Sequence, residues 1–371
     1  MGELPQDLRR VVEAIRPADP AALSAGRERQ RSLTKPPGSL GVLEDVSVQL
    51  CGLAGSCPPP LPVPAAIAVF AGDHGVHAQG VTPWPQQVTA LMVANFAAGG
   101  AAICVLADQA GAELVVVDIG VAGDLPAGPR ADPTTDLPTG SPVVLNRRVR
   151  AGTADLSVEP AMSRAEAQQA LRVGVEVADH LIDRGARCLL TGDMGIANTT
   201  ASAALIAAFA GAEPAAVTGR GTGVDEATHA HKIEVVRAGL ALHREVVGRV
   251  GRDPVGVLAA LGGLEHAGLA GFVLAAAARR VPVILDGVIA GAAALVAQAL
   301  APEVVAACIA GHRSAEPGHL AALTQLGLRP LVDLDLRLGE GSGAVLALPL
   351  VVSAARILRD MATFADAGIQ Q

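Results

Sequence analysis

One carboxylate, Glu340, stands in the stretch LRLGEGSGAVLALPL between two glycines, with aliphatic residues close on both sides. A surface loop would surround it with polar residues, and a core accepts an unpaired charge only at high cost. Other residues able to do chemistry also sit in glycine turns. TGDMGIANTTASAAL brings Asp193, Asn198, Thr199 and Thr200 to a strand end that runs into a small-residue helix. There Gly192 and Gly195 free the backbone, the polar residues can cap the helix, and the helix start can bind an anion. TGRGTGVDEATHAHKIEVV places Gly219, Gly221 and Gly223 before another helix, with Lys232 about two turns in. That spacing is neither the dinucleotide fingerprint nor a Walker loop, yet it can form a nest of amides for a phosphate. AGDHGVHAQGVTPWPQQVT joins Asp73, His74 and His77 to the one tryptophan, Trp84. His-x-x-His in a glycine-rich loop chelates poorly, so no metal is expected. The loop is expected to close on a small molecule, with polar contacts from Asp73, His74 and Thr82. GHRSAEPGH offers His312, Arg313, Ser314 and Glu316 either to a substrate or to a helix start capped by Ser314.

Composition narrows the classes. The 371 residues are 51% hydrophobic and only 2% aromatic, so the core must be small aliphatic packing. A net charge of −8 and few rings offer no surface for nucleic acid. The apolar runs GVIAGAAALVAQAL and AVLALPLVVSAARILRD stop short of the ~20 residues a bilayer helix needs. The N-terminal MGELPQDLRRVVEAIRPADP lacks the apolar region of a signal peptide. A cytoplasmic protein is expected. The five cysteines are scattered without C-x-x-C and read as reduced thiols, not a zinc site. Lys35 and Lys232 are the only lysines in a chain that otherwise uses arginine. A lysine kept against that bias suits a site needing a compact point charge. The other one, in LTKPPGSLGVLE, reads as part of a rigid turn.

These residues need a scaffold to bring them together. The runs AAIAVFAGDHG, ELVVVDIG, ARCLLTGDMG, VPVILDG, VVAACIAGHRS and PLVDLDLRLGEGSG read as buried strands ending in glycine turns. Helix-period stretches such as 86–111, 164–185 and 226–247 lie between them. Strand, turn and helix in repetition imply an α/β fold, a parallel sheet with helices on both faces. Ligands bind such sheets outside the carboxyl ends of the strands. Asp73, His74, Asp193, Asp286, His312, Ser314 and Glu340 cluster at those ends. Residues 121–141, rich in Pro, Gly and Asp, read as a loop or flap. Residues 1–60 and 344–371 read as helical segments that pack together as a small second domain, leaving 61–343 as the large catalytic domain.

Taken in order, GSLGVLE, AGDHGV, GDMGIANTT, GRGTGVD, ILDG, GHRS and GEGSGA resemble the nicotinate-nucleotide–dimethylbenzimidazole phosphoribosyltransferase family, from about Leu33 to Met361. The resemblance implies a Rossmann-like parallel α/β domain, a small helical domain from both chain ends, and a homodimer. It also implies transfer of the 5-phosphoribosyl group from nicotinate mononucleotide to 5,6-dimethylbenzimidazole. The products are α-ribazole 5′-phosphate and nicotinate, with inversion at the anomeric carbon, in cobalamin nucleotide-loop assembly. No cofactor and no metal are implied. The donor is a pyridinium glycoside, so its ring leaves as a neutral nitrogen and needs no general acid. A single base suffices, unlike the carboxylate pair of inverting glycosidases.

By the same resemblance Glu340 is that base. It orients the incoming benzimidazole and takes its N–H proton, and desolvation raises its own pKa towards the working pH. Met194, Gly195, Thr222 and Lys232 are implied at the phosphate and ribose, and Asp193 beside the anomeric carbon, where it would stabilise developing positive charge. Many relatives carry glutamate at 193 and glycine at 197; this chain has aspartate and alanine. Thr82 matches a serine of the base pocket, and Gly287 and Ser314 would lie towards the nicotinate. The alternatives are a sibling transferase with another acceptor base and a non-catalytic nucleotide-binding regulator. A dinucleotide oxidoreductase is remoter, because no G-x-G-x-x-G opens a first βαβ unit.

Overall fold

The computed structural model describes residues 4–125, 130–131 and 142–369, so most of the Pro/Gly-rich 121–141 segment lies outside the described residues. In chain order the elements begin with α1 (Gln6–Ala14), α2 (Pro20–Ser32) and α3 (Val42–Ala54). The sheet opens with β1 (Ala65–Gly72), α4 (Val88–Ala97), α5 (Ala102–Ala110) and β2 (Glu113–Gly120). Then follow a two-residue β3 (Arg130–Ala131), β4 (Val143–Asn146), α6 (Arg164–Asp183) and β5 (Cys188–Met194). A helical run comes next: α7 (Asn198–Ala210), α8 (Pro214–Val217), α9 (Glu226–Leu242), α10 (Arg244–Val247), α11 (Pro254–Leu261) and α12 (Leu264–Ala278). The chain closes with β6 (Val283–Leu285), α13 (Val288–Leu300), β7 (Cys308–Ala310), α14 (Pro317–Leu326) and α15 (Ser342–Asp360).

Among the described residues the strands form one parallel sheet in the order β3-β4-β2-β1-β5-β6-β7. Every residue of β1 is buried because alternate side chains enter two separate cores. Ala66, Ala68 and Phe70 join Val115, Val117, Leu189 and Leu285 on the face covered by α12 and α13. Ile67 and Val69 join Val116, Leu190, Ile284 and Ile309 on the face covered by α4, α5 and α15. A strand with two dry faces reads as an unbroken apolar run, which is why five of the six expected strands are present. The sixth, 330–343, is not a strand. Its only ladder contact is an isolated bridge between His312 and Val332. Asp335 takes a left-handed φ of +54° there, and the apolar Leu334 and Leu338 face outward. Alternating leucines and aspartates imitate a strand pattern that the backbone does not follow.

Two helix expectations are refined. The 86–111 stretch is two helices divided at Gly99, whose φ is +75°. The chain 226–247 is α9 followed by the short α10. Close packing uses glycine where helices touch: a Cβ on Gly174 of α6 would overlap the Gly268 carbonyl of α12, and one on Gly271 would overlap the Leu171 carbonyl. Val88–Ala110 and Ser342–Asp360 have the apolar composition of a membrane span. The first is broken into α4 and α5, and the second lays Val345, Leu348 and Val351 on the sheet. The far end of α15 meets the N-terminal helices. Leu358 packs with Ala22, Leu33 and Cys51, Arg29 donates to the carbonyls of Leu358 and Arg359, and Leu33 bridges to Thr363.

Candidate active site

The sheet connectivity fixes where the site lies. From β1 the chain turns to β2 and β4 on one side, then returns past β1 to β5, β6 and β7 on the other. Strand ends part at such a reversal and open a crevice. Beside that point a cleft with about 620 Å³ of unfilled space, part of it open to solvent, runs over β5, β6 and β7. Asp193 and Met194 line it from the end of β5 with Gly195 just beyond, Gly287 after β6, and Ser314 after β7. It continues past Gly221 and Thr222 to Thr82, Thr199 and Lys232.

One end of the cleft is built for an anion. Lys232 is 1% exposed, and no carboxylate pairs with it among the described residues. Its Nζ donates to the Thr199 hydroxyl at 2.7 Å. Burial lowers its pKa to about 8, with the Glu316 charge acting in the opposite direction. A buried ammonium without a counter-ion is unfavourable by itself, so the site suits a negative ligand. The start of α7 adds to this. Its N-cap is Ala197, in the left-handed region at φ +73°, and no side chain caps it. The expected caps do not cap it: Asn198 donates to Asp193, Thr199 accepts from Lys232, and the Thr200 hydroxyl is buried without a partner among the described residues. The N–H groups of Asn198 and Thr200 already donate to the carbonyls of Gly195 and Ala197, at 3.2 and 3.1 Å, so this helix start offers an anion chiefly the positive end of its dipole. Across the cleft, Glu316 accepts from the Gly221 N–H at 2.7 Å and holds the glycine loop.

The other end is acidic. Glu340 is 5% exposed and its Oε2 has no hydrogen-bond partner among the described residues. Burial pushes its pKa up, the Ile103 backbone N–H at the start of α5 opposes this, and the Asp286 charge adds to it. Three consecutive residues, Gly339, Glu340 and Gly341, have positive φ, at 81°, 64° and 94°. This conformation is strained for a glutamate. Asp193 lies alongside: its Oδ2 sits 3.3 Å from where a Cβ on Gly339 would be, and it accepts from Asn198 at 3.0 Å. Burial, reinforced by the charges of Asp286, Glu265 and Glu340, raises its pKa well above the carboxylate range.

Comparison with known proteins decides the assignment. A family profile described as phosphoribosyltransferase matches residues 15–369. The nicotinate-nucleotide–dimethylbenzimidazole phosphoribosyltransferase of Salinispora tropica is 59% identical over 98% of this chain and 99% of its own length. That of Chloroflexus aggregans is 52% identical over 98% of both. The solved structure of the enzyme of the same name from Thermus thermophilus superposes with a TM-score of 0.85 at 46% identity, covering 95% of this chain and 99% of that one. The chain belongs to this phosphoribosyltransferase family.

Within this phosphoribosyltransferase fold the expected site residues divide into two groups. Asp193, Met194, Gly195, Thr82, Thr222, Lys232, Gly287 and Ser314 line the cleft, and Glu340 adjoins it through Gly339. Ser314 is held by its N–H, which donates to His319 Nδ1 at 3.0 Å; burial lowers the pKa of His319 to about 3, so it accepts as a neutral ring. Asp73 and His74 are instead seated beneath the cleft floor, 2% and 0% exposed. Asp73 accepts from the Ala122 N–H at 2.8 Å, and burial raises its pKa. His74 Nε2 is 2.8 Å from Glu265, and Glu265 is 2.7 Å from His266. His77 is separate, bonded to the Trp84 carbonyl. The donor atoms of His74, Glu265 and His266 lie within 4.8 Å of one another. Their spacings are those of hydrogen bonds, and Ser202 engages the outer nitrogen of His266 at 2.8 Å. The trio is a buried ion-paired cluster, with the imidazoles of His74 and His266 on either side of Glu265.

Sequence reasoning gave no role to Asp286, Glu265 or His266. Glu265 carries the same signal as Glu340, a lone carboxylate at the start of an apolar helix.

Proposed function

We propose that the chain transfers the 5-phosphoribosyl group of nicotinate mononucleotide to 5,6-dimethylbenzimidazole, forming α-ribazole 5′-phosphate and nicotinate. One observation carries this reading: among the described residues the cleft has a buried lysine with no ion-pair partner at one end and buried carboxylates with no ion-pair partner at the other. Nicotinate mononucleotide matches it, with a phosphate at one end and a cationic ring at the other. The phosphate sits against Lys232, the α7 start and the loop at Thr222. The ribose lies over Met194 and Gly195, and the nicotinate lies towards Gly287 and Ser314. Thr82, which the resemblance assigns to the acceptor pocket, stands at the lysine end of the cleft.

The benzimidazole nitrogen attacks the anomeric carbon from the face opposite the departing ring, so the configuration inverts. The C–N bond to nicotinate breaks with its electron pair returning to the ring, which leaves neutral at nitrogen. Glu340 takes the proton from the other benzimidazole nitrogen. Its raised pKa makes it a stronger base than an exposed glutamate, because Brønsted behaviour rewards a pKa near the working pH. Asp193, pulled back by Asn198, faces the carbon where positive charge develops. Burial makes it easier to protonate than an ordinary aspartate, and the cationic donor draws it towards the ionised form.

The small helical unit is centred on Leu33, Cys51 and Leu358, where the two ends of the chain meet, while α1 packs on α12 and the first half of α15 on the sheet. The chain acts as a homodimer: Leu91 on α4 and Val105 on α5 stand 59% and 63% exposed, a pair of large apolar side chains that a second copy would cover. It works in the cytoplasm, in keeping with five free thiols, four of them buried.

The test is to mix the protein with nicotinate mononucleotide and 5,6-dimethylbenzimidazole in the presence of EDTA and follow products by chromatography. α-Ribazole 5′-phosphate and nicotinate are expected in equal amounts. Turnover with a different base only would keep the transferase and replace the acceptor. Nucleotide binding with no turnover of any base would leave a regulator.

A further inference from the structure

Glu340 occupies a strained left-handed conformation between two left-handed glycines, and such a conformation persists only where neighbours hold it. The holding group is Asp286, at the carboxyl end of β6 and 0% exposed. Its Oδ2 accepts from the Gly341 N–H at 3.2 Å, next to Glu340. Its Oδ1 accepts from the N–H groups of Gly343 and Ala344, at 2.8 and 3.0 Å. These are first-turn amides of α15, whose N-cap Gly341 has no side chain to satisfy them. A carboxylate supplied by a different strand thus does the work of a helix cap. Asp286 is itself fixed: its N–H donates to the Thr191 hydroxyl at 2.9 Å, two residues before Asp193. His312 Nε2 stands 3.6 Å from Oδ1, with its ring against Gly343. β5, β6 and the start of α15 therefore meet at one carboxylate.

We propose that Asp286 is the positioning residue for Glu340, tying down the backbone that follows it so that the Glu340 carboxylate meets the proton of the acceptor base. This inference rests on the reading of Glu340 as the base. It follows that Asp286 acts on the chemical step through Glu340 and has little part in donor binding. The titratable groups around Asp286 are His312 after β7, Asp193 on β5 and Glu340 before α15. Its negative charge favours the protonated form of Glu340, so removing it moves the acid limb of the rate profile to lower pH.

The test measures kcat, donor KM and pH profiles for wild type, Asp286→Asn, Asp286→Ala, Glu340→Gln and the two double variants. Asparagine keeps the shape but loses one acceptor face; alanine loses both. Expected are a ~10-fold lower kcat for D286N and ~100-fold for D286A, with donor KM within ~3-fold of wild type. The D286N acid limb should shift downward. On the E340Q background each Asp286 substitution should change kcat by less than ~3-fold, because the two act as a unit. The same fold-loss on both backgrounds, a wild-type kcat for D286N, or an effect confined to KM would overturn the proposal. Should D286A fail to fold, the isosteric D286N and its double variant decide. If E340Q alone keeps the wild-type rate, the base assignment has failed, and the E340Q background shows that separately from any effect of Asp286.

Discussion

Glu265 and Glu340 both sit at the start of apolar helices, and both are almost fully buried, yet they are opposites. Glu265 lies between two imidazoles. Burial would push its pKa up, but His74 and His266 overturn that and hold it well below the carboxylate range. Glu340 has no cation beside it among the described residues, and burial raises its pKa. The pair shows what divides a structural charge from a reactive one. A compensated carboxylate is locked as an anion and supports the floor, whereas an uncompensated one is free to take a proton. The two lysines repeat the contrast. Lys35 donates to Glu44 at 2.7 Å, and Glu44 also accepts from the N–H groups of Gly38 and Leu40, so Lys35 fastens a turn. Among the described residues Lys232 bonds only to a hydroxyl, which suits it to a ligand.

The largest effect expected from breaking this contrast is at Glu340. Glu340→Gln should lower kcat by ~10²–10⁴-fold, the range for loss of a general base, while its thermal melt stays at or above that of wild type. Glu265→Gln should do the reverse. Removing one member of a buried ion-paired cluster costs about 3–5 kcal/mol, read by denaturant unfolding, with kcat per folded molecule close to wild type. Lys232→Met should lower kcat/KM for the donor by ~10–100-fold, the equivalent of one lost charged hydrogen bond, without loss of stability. The wild-type donor KM should rise above pH 8 as Lys232, with its pKa of about 8, gives up its proton.

The stability–pH profile sharpens the comparison further. Glu265 has a depressed folded pKa, so its contribution is present above its unfolded pKa and is lost only as pH falls through the lowered value. His74 has a raised pKa: burial opposes the charge, but Glu265 and Asp73 outweigh it. Its contribution is full below its unfolded pKa, near 6.5, and is lost as pH rises through the raised value. Unfolding free energy should therefore decline on the alkaline side in wild type, and less so in Glu265→Gln. Lys35→Met should give the smallest effect, about 1–2 kcal/mol of stability and no change in donor KM.

The parts legible in the sequence were those that break a background. Strands β1, β2, β5, β6 and β7 stand out because two dry faces make an unbroken apolar run. Lys232 stands out because the chain prefers arginine, and Glu340 because its neighbours are oily. β4, only four residues long, follows the Pro/Gly-rich segment and left no comparable run. The 330–343 segment imitated a strand through its alternating leucines. Asp286 was seen at a strand end, but its role lies in amides 55 to 58 residues further along. No local pattern reports a cap supplied from another element. His74 was expected at the ligand because it neighbours a glycine turn, and only the fold shows that Glu265 draws it under the floor.

The most direct test of the account is the pH dependence of the single-turnover rate, with nicotinate mononucleotide and 5,6-dimethylbenzimidazole, in wild type and Glu340→Gln. The account predicts an acid limb in wild type with a midpoint above the ordinary glutamate value of about 4.3, and a slow rate without that limb in the variant. A variant that keeps the wild-type rate, or the same limb, would contradict it.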